Sequence, residues 1–367
     1  MTAKRSRSAV LEALDSIAMR EFPVPEIRED DALIEVERTG ICHTDVDLLH
    51  GAVRYADLPL ILGHEITGRI AKIGPVASRR WEVVEGDRVA VEAMVRCGFC
   101  RSCIEGSYRY CTERVGYGTF VSAERPPHLW GAYSECMYLA PGSLVHKLPD
   151  DLSPDLAILL NVAISNAIQW TIKQAGVRLG DAVVVQGVDP IGLSCVAVAR
   201  EAGADPVVAT GLGIDGYRLE MAASFGASAV LDVDNEDVVE RVSELTGGDM
   251  ADAVIDVTGS GQAVRKSLEL VRPMGTVISA GVTGDGTLSP MPLDTLLYKE
   301  IRLQGVFTND SWSMRRAIDL ARQHKYPFES LVTHRFPLER AQEAVLTAGR
   351  ELPDVSPIKV TIAPNGV

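Results

Sequence analysis

Four cysteines fall within a short stretch rich in Gly and Arg, spaced Cys97-x2-Cys100-x2-Cys103-x7-Cys111. Zn²⁺ takes four tetrahedral ligands, and four thiolates close its shell and leave no position for substrate. Arg96, Arg101 and Arg109 stand near enough in sequence to offset such an anionic centre. Seven cysteines make an odd number, and in a reducing compartment their clustering points to metal rather than disulfides. The plain alternative is a group of unliganded thiols. The spacing predicts a structural zinc over about residues 96–112.

Such a lobe needs a scaffold. At 367 residues the chain predicts two domains, and its 46% hydrophobic and 23% charged content predicts a globular fold. A net charge of −14 argues against nucleic acid or an anionic membrane as a partner. No run of about 18 apolar residues stands out as a bilayer span. The basic start, Met1 to Arg7, lacks the apolar core of a signal peptide, so the expected location is the cytoplasm.

From Leu33 to Val121, short partly alternating apolar segments are broken by Gly, Pro and Asp, the texture of an irregular β domain. Near Asp150 the texture changes. Ser153 is a fitting N-cap for a helix over Pro154–Gln174. Strands rich in Val and Ile then alternate with helices from Ala182 to Gly281. Continuous apolar strands separated by helices require a parallel sheet covered on both faces, hence a doubly wound α/β domain. The predicted division is 1–153, 154–297 and 298–367, with the last strand, Ile358–Ile362, rejoining the first domain.

The strand Val183-Val184-Val185 leads into Gly187-Val188-Asp189-Pro190-Ile191-Gly192, which opens a helix. In that context a glycine-rich loop predicts dinucleotide binding, with the pyrophosphate over the helix N-terminus. Gly187 permits the tight turn and Gly192 lets helix and strand approach. The middle position, however, is Asp189, which brings bulk and negative charge to an anion site. Either it weakens the cofactor's hold, or it swings outward and caps the helix.

Gly40-Ile41-Cys42-His43-Thr44-Asp45 is followed by Gly63-His64-Glu65-x2-Gly68-x5-Gly74 and then by Gly86-Asp87-Arg88-Val89. In order and spacing this resembles the signature of the zinc alcohol and polyol dehydrogenases of the medium-chain dehydrogenase/reductase superfamily. The cysteine lobe and the strand–helix domain follow in that family's order, so the resemblance covers about residues 8–364. It implies a GroES-like irregular β catalytic domain joined to a Rossmann domain.

It also implies a catalytic zinc that acts as a Lewis acid on an alcohol while hydride leaves for NAD or NADP. Cys42 and His64 match ligands of that zinc, and thiolate and imidazole suit it. Asp45 matches a carboxylate that orients a ligand. Thr44 matches the hydroxyl that starts a proton relay, His43 a basic residue at the cofactor pyrophosphate, and Lys359 a basic residue at cofactor phosphate. Glu65 matches a carboxylate that enters the metal shell in some relatives.

Two positions depart from that pattern. Relatives supply a third ligand near the start of the linking helix, where this chain has Asn161-Val162. Valine cannot bind zinc, and an amide binds it poorly. Either Glu65 completes the site with water, or the metal is weak or absent. Asp189 is the second departure. In addition, Gly211 stands where NAD-specific enzymes carry an acidic residue on the ribose, which tips the reading toward NADP and leaves NAD open. Arg218 is close enough in sequence to reach a 2′-phosphate.

The substrate is expected to be a small secondary alcohol, polyol or aminocyclitol, with Leu49, Val53, His128–Trp130, Asn166 and 307–309 as candidate walls. The competing expectation is a protein that keeps the scaffold but has altered metal and cofactor sites. It would carry out an elimination, cyclisation or epimerisation, or bind only. Relatives are dimers or tetramers, so a homo-oligomer is expected, and Thr276–Ser279 is an apolar strand near where relatives pair.

Overall fold

The computed structural model describes residues 5–366 apart from 54, 56, 285, 286 and 354. Residues 1–4 of the basic start therefore lie outside the described residues. The chain forms two units, 1–161 with 329–367, and 162–328. The boundaries differ from those expected. Residues 298–328 stay with the second unit because Arg302–Gly305 supplies the last strand of its sheet.

The first unit is β-rich. Its main sheet runs, in spatial order, Val145–Lys147, Arg88–Val91, Glu65–Ile73, Ala32–Gly40, Lys359–Ala363 and Val332–Pro337, with Cys136–Leu139 added beside Ala32–Gly40. The C-terminal strand rejoins this unit as expected, pairing Thr361 with Gly40. The segment read as free of long helices holds, among the described residues, three short ones, His43–His50, Pro75–Trp81 and Arg101–Ile104. Leu11, Ile34, Leu49, Ile66 and Ile70 are among the largest side chains fully buried in its core. The candidate substrate walls Leu49, Val53 and Leu129 belong to that core.

The second unit is a parallel six-stranded sheet in the order Ala229–Asp232, Val207–Gly211, Val183–Gln186, Ala251–Asp256, Val271–Ser279 and Arg302–Gly305. The strand order reverses beside Val183–Gln186, at the switch point where ligands enter doubly wound sheets. Thr276–Ser279 has strands on both sides, so it is not a free edge; the edges are Arg302–Gly305 and Ala229–Asp232.

The helical stretch Pro154–Gln174 forms as expected, with the Ser153 hydroxyl accepting from the Leu156 N–H. It contains π-helical turns at Leu160–Ile164 and Gln169–Gln174, and the passage from one unit to the other falls inside the first. By length and composition it could cross a membrane, but most of it is buried in the protein, the property of a core helix. Asn309, in one of the candidate substrate walls, and neighbouring Asp310 dock this helix. Asn309 Nδ2 donates to Ser165 Oγ, and the Lys173 ammonium pairs with Asp310.

Candidate metal and cofactor sites

The cysteine lobe gathers as its spacing predicts. The Sγ atoms of Cys97, Cys100, Cys103 and Cys111 all lie within 4.8 Å of one another, a group that fits one tetrahedral Zn²⁺. The backbone shapes it: Cys100 N–H donates to Cys97 Sγ at 3.3 Å, and Cys97 N–H donates to Cys111 Sγ at 3.4 Å. Backbone N–H groups hold the Cys100 thiol pKa down at about 6, whereas burial pushes Cys103 up to about 12. Four thiols this close cannot all ionise without a cation among them.

The second candidate centre is built on the N-terminus of His43–His50. Cys42 is the N-cap residue, and its N–H donates to Asp45 Oδ2 at 2.9 Å. Asp45 is fully buried, and its Oδ1 stands 3.4 Å from His64 Nδ1. Burial disfavours a charged His64. Asp45, together with the Cys42 sulfur in hydrogen-bonding range, outweighs it and pushes the imidazole pKa well up. The Thr44 hydroxyl is 3.8 Å from Cys42 Sγ. Asp45 Oδ1 and His64 Nδ1 make no regular hydrogen bond. A thiol and an imidazole facing each other, with a buried carboxylate behind the imidazole, fit two ligands of a zinc ion and the group that orients one of them.

Glu65 does not join them as a third ligand in this arrangement. Among the described residues, only the lobe cysteines form a group of three or more closely gathered ligands. Glu65 Oε1 instead accepts from Lys359 Nζ at 2.5 Å, and that ammonium also donates to the Ile41 carbonyl at 3.0 Å. Lys359 is therefore buried rather than a surface lysine. Glu65 Oε2 is buried without a partner. Val162 lies in the first π-helical turn, and neighbouring Asn161 donates from Nδ2 to the Ile66 carbonyl at 2.8 Å. His43 is well exposed, 3.7 Å from Asp47.

In the second unit the glycine loop has its expected shape. Gly187 has φ +102°, and a Cβ on Gly192 would lie 2.0 Å from the Gly187 carbonyl oxygen, so both positions need glycine. Pro190 and Ile191 open the helix, and Asp189 caps it, its Oδ1 accepting from Gly192 N–H at 2.7 Å. Of the two readings of Asp189 the structure shows the cap, but the carboxylate stays on the helix N-terminus. Nearby Asp256 is fully buried at the end of its strand. Burial raises its pKa to about 6; bonds from Thr258 oppose that shift, and the charge of Asp189 adds to it.

The loop after Val207–Gly211 is acidic. Gly213 N–H donates to Asp234 Oδ2 at 2.9 Å, and Asp232 stands beside Gly213. Arg218 lies 4.0 Å from Asp215. Gly211 at its strand end does not by itself reveal the carboxylates delivered by the next strand, which pairs Gly211 with Asp232.

Two family models match the chain. The alcohol dehydrogenase GroES-like domain covers residues 28–150, and the zinc-binding dehydrogenase domain covers residues 190–323. The "Probable alcohol dehydrogenase adh" of Mycobacterium tuberculosis is 40% identical over 98% of each chain. The sorbitol dehydrogenase of Bombyx mori is 31% identical over 92% of this chain and 94% of its own. Among solved structures, an alcohol dehydrogenase from Thermotoga maritima is similar with a TM-score of 0.89 and 27% identity, covering 99% of this chain and all of the other. All three are named as oxidoreductases, which supports the redox expectation over the non-redox one. With its two matched domains, its cysteine lobe and its paired Cys42 and His64, the chain belongs to the zinc-dependent medium-chain alcohol dehydrogenase family.

Proposed function

We propose that the protein oxidises a small secondary alcohol or polyol, and reduces the matching ketone, using Cys42 and His64 as the protein ligands of its catalytic zinc. The observation that carries this is the Cys42–His64–Asp45 arrangement, in which the buried Asp45 Oδ1 and His64 Nδ1 are left without regular partners. Zinc supplies Lewis acidity there, and NAD(P) supplies the hydride acceptor. Asp45 holds the His64 ring in place. Thr44, beside the Cys42 sulfur, carries the hydroxyl that receives the alcohol proton and passes it outward. Lys359 holds one oxygen of Glu65, so Cys42 and His64 would be the firm protein ligands of a metal there. Cys97, Cys100, Cys103 and Cys111 hold a second, structural zinc.

The dinucleotide lies along Gly187–Gly192. Asp232 and Asp234 beside Gly213 disfavour a 2′-phosphate, and Arg218 is directed at Asp215, which supports NAD over NADP. A homodimer or homotetramer is supported by the edge strand Arg302–Gly305 and by exposed Leu293, Leu297 and Tyr298. A reducing cytoplasm suits a lobe of four metal-binding thiols.

The test is metal content per chain on protein purified without added metal, with NADH and NADPH titrations on the same sample and a panel of secondary alcohols and polyols. Two zincs, cofactor binding and turnover are expected. One zinc and no turnover overturns the assignment of Cys42 and His64.

A further inference from the structure

Tyr133 has no place in any motif, yet it is fully buried against the candidate catalytic centre. Its backbone N–H donates to the Leu62 carbonyl at 3.0 Å, and Ala132 N–H donates to the Gly63 carbonyl at 2.9 Å, so the segment is stapled to the residues just before His64. Gly63 has φ +90°, and a Cβ there would lie 2.4 Å from the Tyr133 ring. The ring therefore sits in space that only glycine leaves open, and its position is fixed.

The hydroxyl at the end of that ring is buried and makes no regular hydrogen bond. It lies in hydrogen-bonding range of Asp45, with Glu65 and Cys42 also close by. A phenol is protonated at neutral pH, so the group is an O–H donor. Three buried polar atoms of this neighbourhood thus lack regular partners: Tyr133 Oη, and Asp45 Oδ1 with His64 Nδ1 at 3.4 Å from it. A fully buried carboxylate needs several donors to stay ionised. Asp45 Oδ2 has the Cys42 N–H. Oδ1 has two lone pairs, enough for the His64 Nδ1–H and the Tyr133 O–H together.

We propose that Tyr133 is a positioning residue for the catalytic metal: its hydroxyl fixes Asp45, and Asp45 fixes the His64 tautomer that leaves Nε2 free for the metal. The inference rests on the assignment of Cys42 and His64 as ligands. With two firm protein ligands rather than three, the orientation of His64 carries more of the metal's hold.

The test uses the full-length protein with cobalt exchanged into the catalytic position. Metal affinity is read by competition with a chromophoric chelator, and ligand geometry by the cobalt visible absorption. Tyr133→Phe keeps the ring that packs on Gly63, so the fold persists, which circular dichroism checks. Expected are about tenfold weaker metal binding and a shifted cobalt spectrum. In an Asp45→Asn background the same change should add little, because Tyr133 acts through Asp45. Unchanged affinity and spectrum in Tyr133→Phe, or a full effect in the Asp45→Asn background, overturns the proposal while leaving the metal site standing. If Cys42→Ser binds as much exchangeable metal as the unmodified protein, the ligand assignment and this inference fall together.

Discussion

The Asp189 carboxylate accepts from the Gly192 N–H at 2.7 Å and so occupies the helix N-terminus that a cofactor pyrophosphate would use. An anion approaching that helix meets a fixed negative charge, and Asp256 lies close enough to feel the same charge. Asp189→Gly is expected to tighten NADH binding by about tenfold, since one repelling charge leaves and the cap loss costs only a few tenths of a kcal/mol. Asp189→Ser, which keeps a cap without the charge, should tighten it as well. Fluorescence titration of NADH measures both, and unchanged Kd values would show that the carboxylate turns aside without cost.

The cysteine lobe gives a separable prediction. Cys103→Ser should remove one zinc per chain and lower stability by several kcal/mol, because metal-binding free energy is folding free energy in such a lobe. Metal bound at Cys42 and His64 should remain. Metal analysis with thermal melts checks this, and a variant that keeps two zincs would remove Cys103 from the ligand set.

His50 predicts a pH dependence. It bridges Asp15 at 2.5 Å and Glu351 at 2.8 Å, and these carboxylates raise its pKa above the ordinary 6.5, the bond to Glu351 most and burial opposing. A raised folded pKa means that the stabilisation is fully present below about pH 6.5 and fades as pH climbs through the folded value. Melting temperatures of the unmodified protein and His50→Gln should therefore differ most near pH 6 and converge above the folded pKa. A gap that widens with pH would reverse the sign of this account.

What the sequence reveals of these sites depends on chemical locality. The four lobe cysteines are close in sequence and chemically specific, so their spacing alone finds the group that the fold assembles. Cys42 and His64 are legible through the glycines that surround them, and the strand–helix alternation is legible through its period. Tyr133 is not, because register rather than motif carries it to Asp45. Lys359 reads as a cofactor or surface residue until the pairing of Thr361 with Gly40 brings it beside Glu65. Asp232 and Asp234 are equally hidden: a strand end reads as one position, whereas the loop after Gly211 also meets the end of the neighbouring strand. Asn309 and Asp310 look like ligand-binding polarity but dock a helix, a use that composition cannot distinguish.

Gly40 supplies the last prediction. It pairs with Glu65 on one side and Thr361 on the other, and its φ is not in the left-handed region, so conformation alone does not demand glycine. Space does. A Cβ at position 40 would lie 1.9 Å from Glu65 Oε2 and 2.9 Å from Lys359 Cε. The carboxylate is the mobile end of a side chain, but here it is buried and held by an ammonium that is also buried, so neither can move aside cheaply. Gly40→Ala should therefore cost about 1–3 kcal/mol, read as a drop of several degrees in melting temperature. In a Glu65→Ala background the obstructing oxygen is gone, and the additional loss on Gly40→Ala should fall to less than half. Equal losses in both backgrounds would mean that the strand, not the Glu65–Lys359 pair, sets the requirement for glycine.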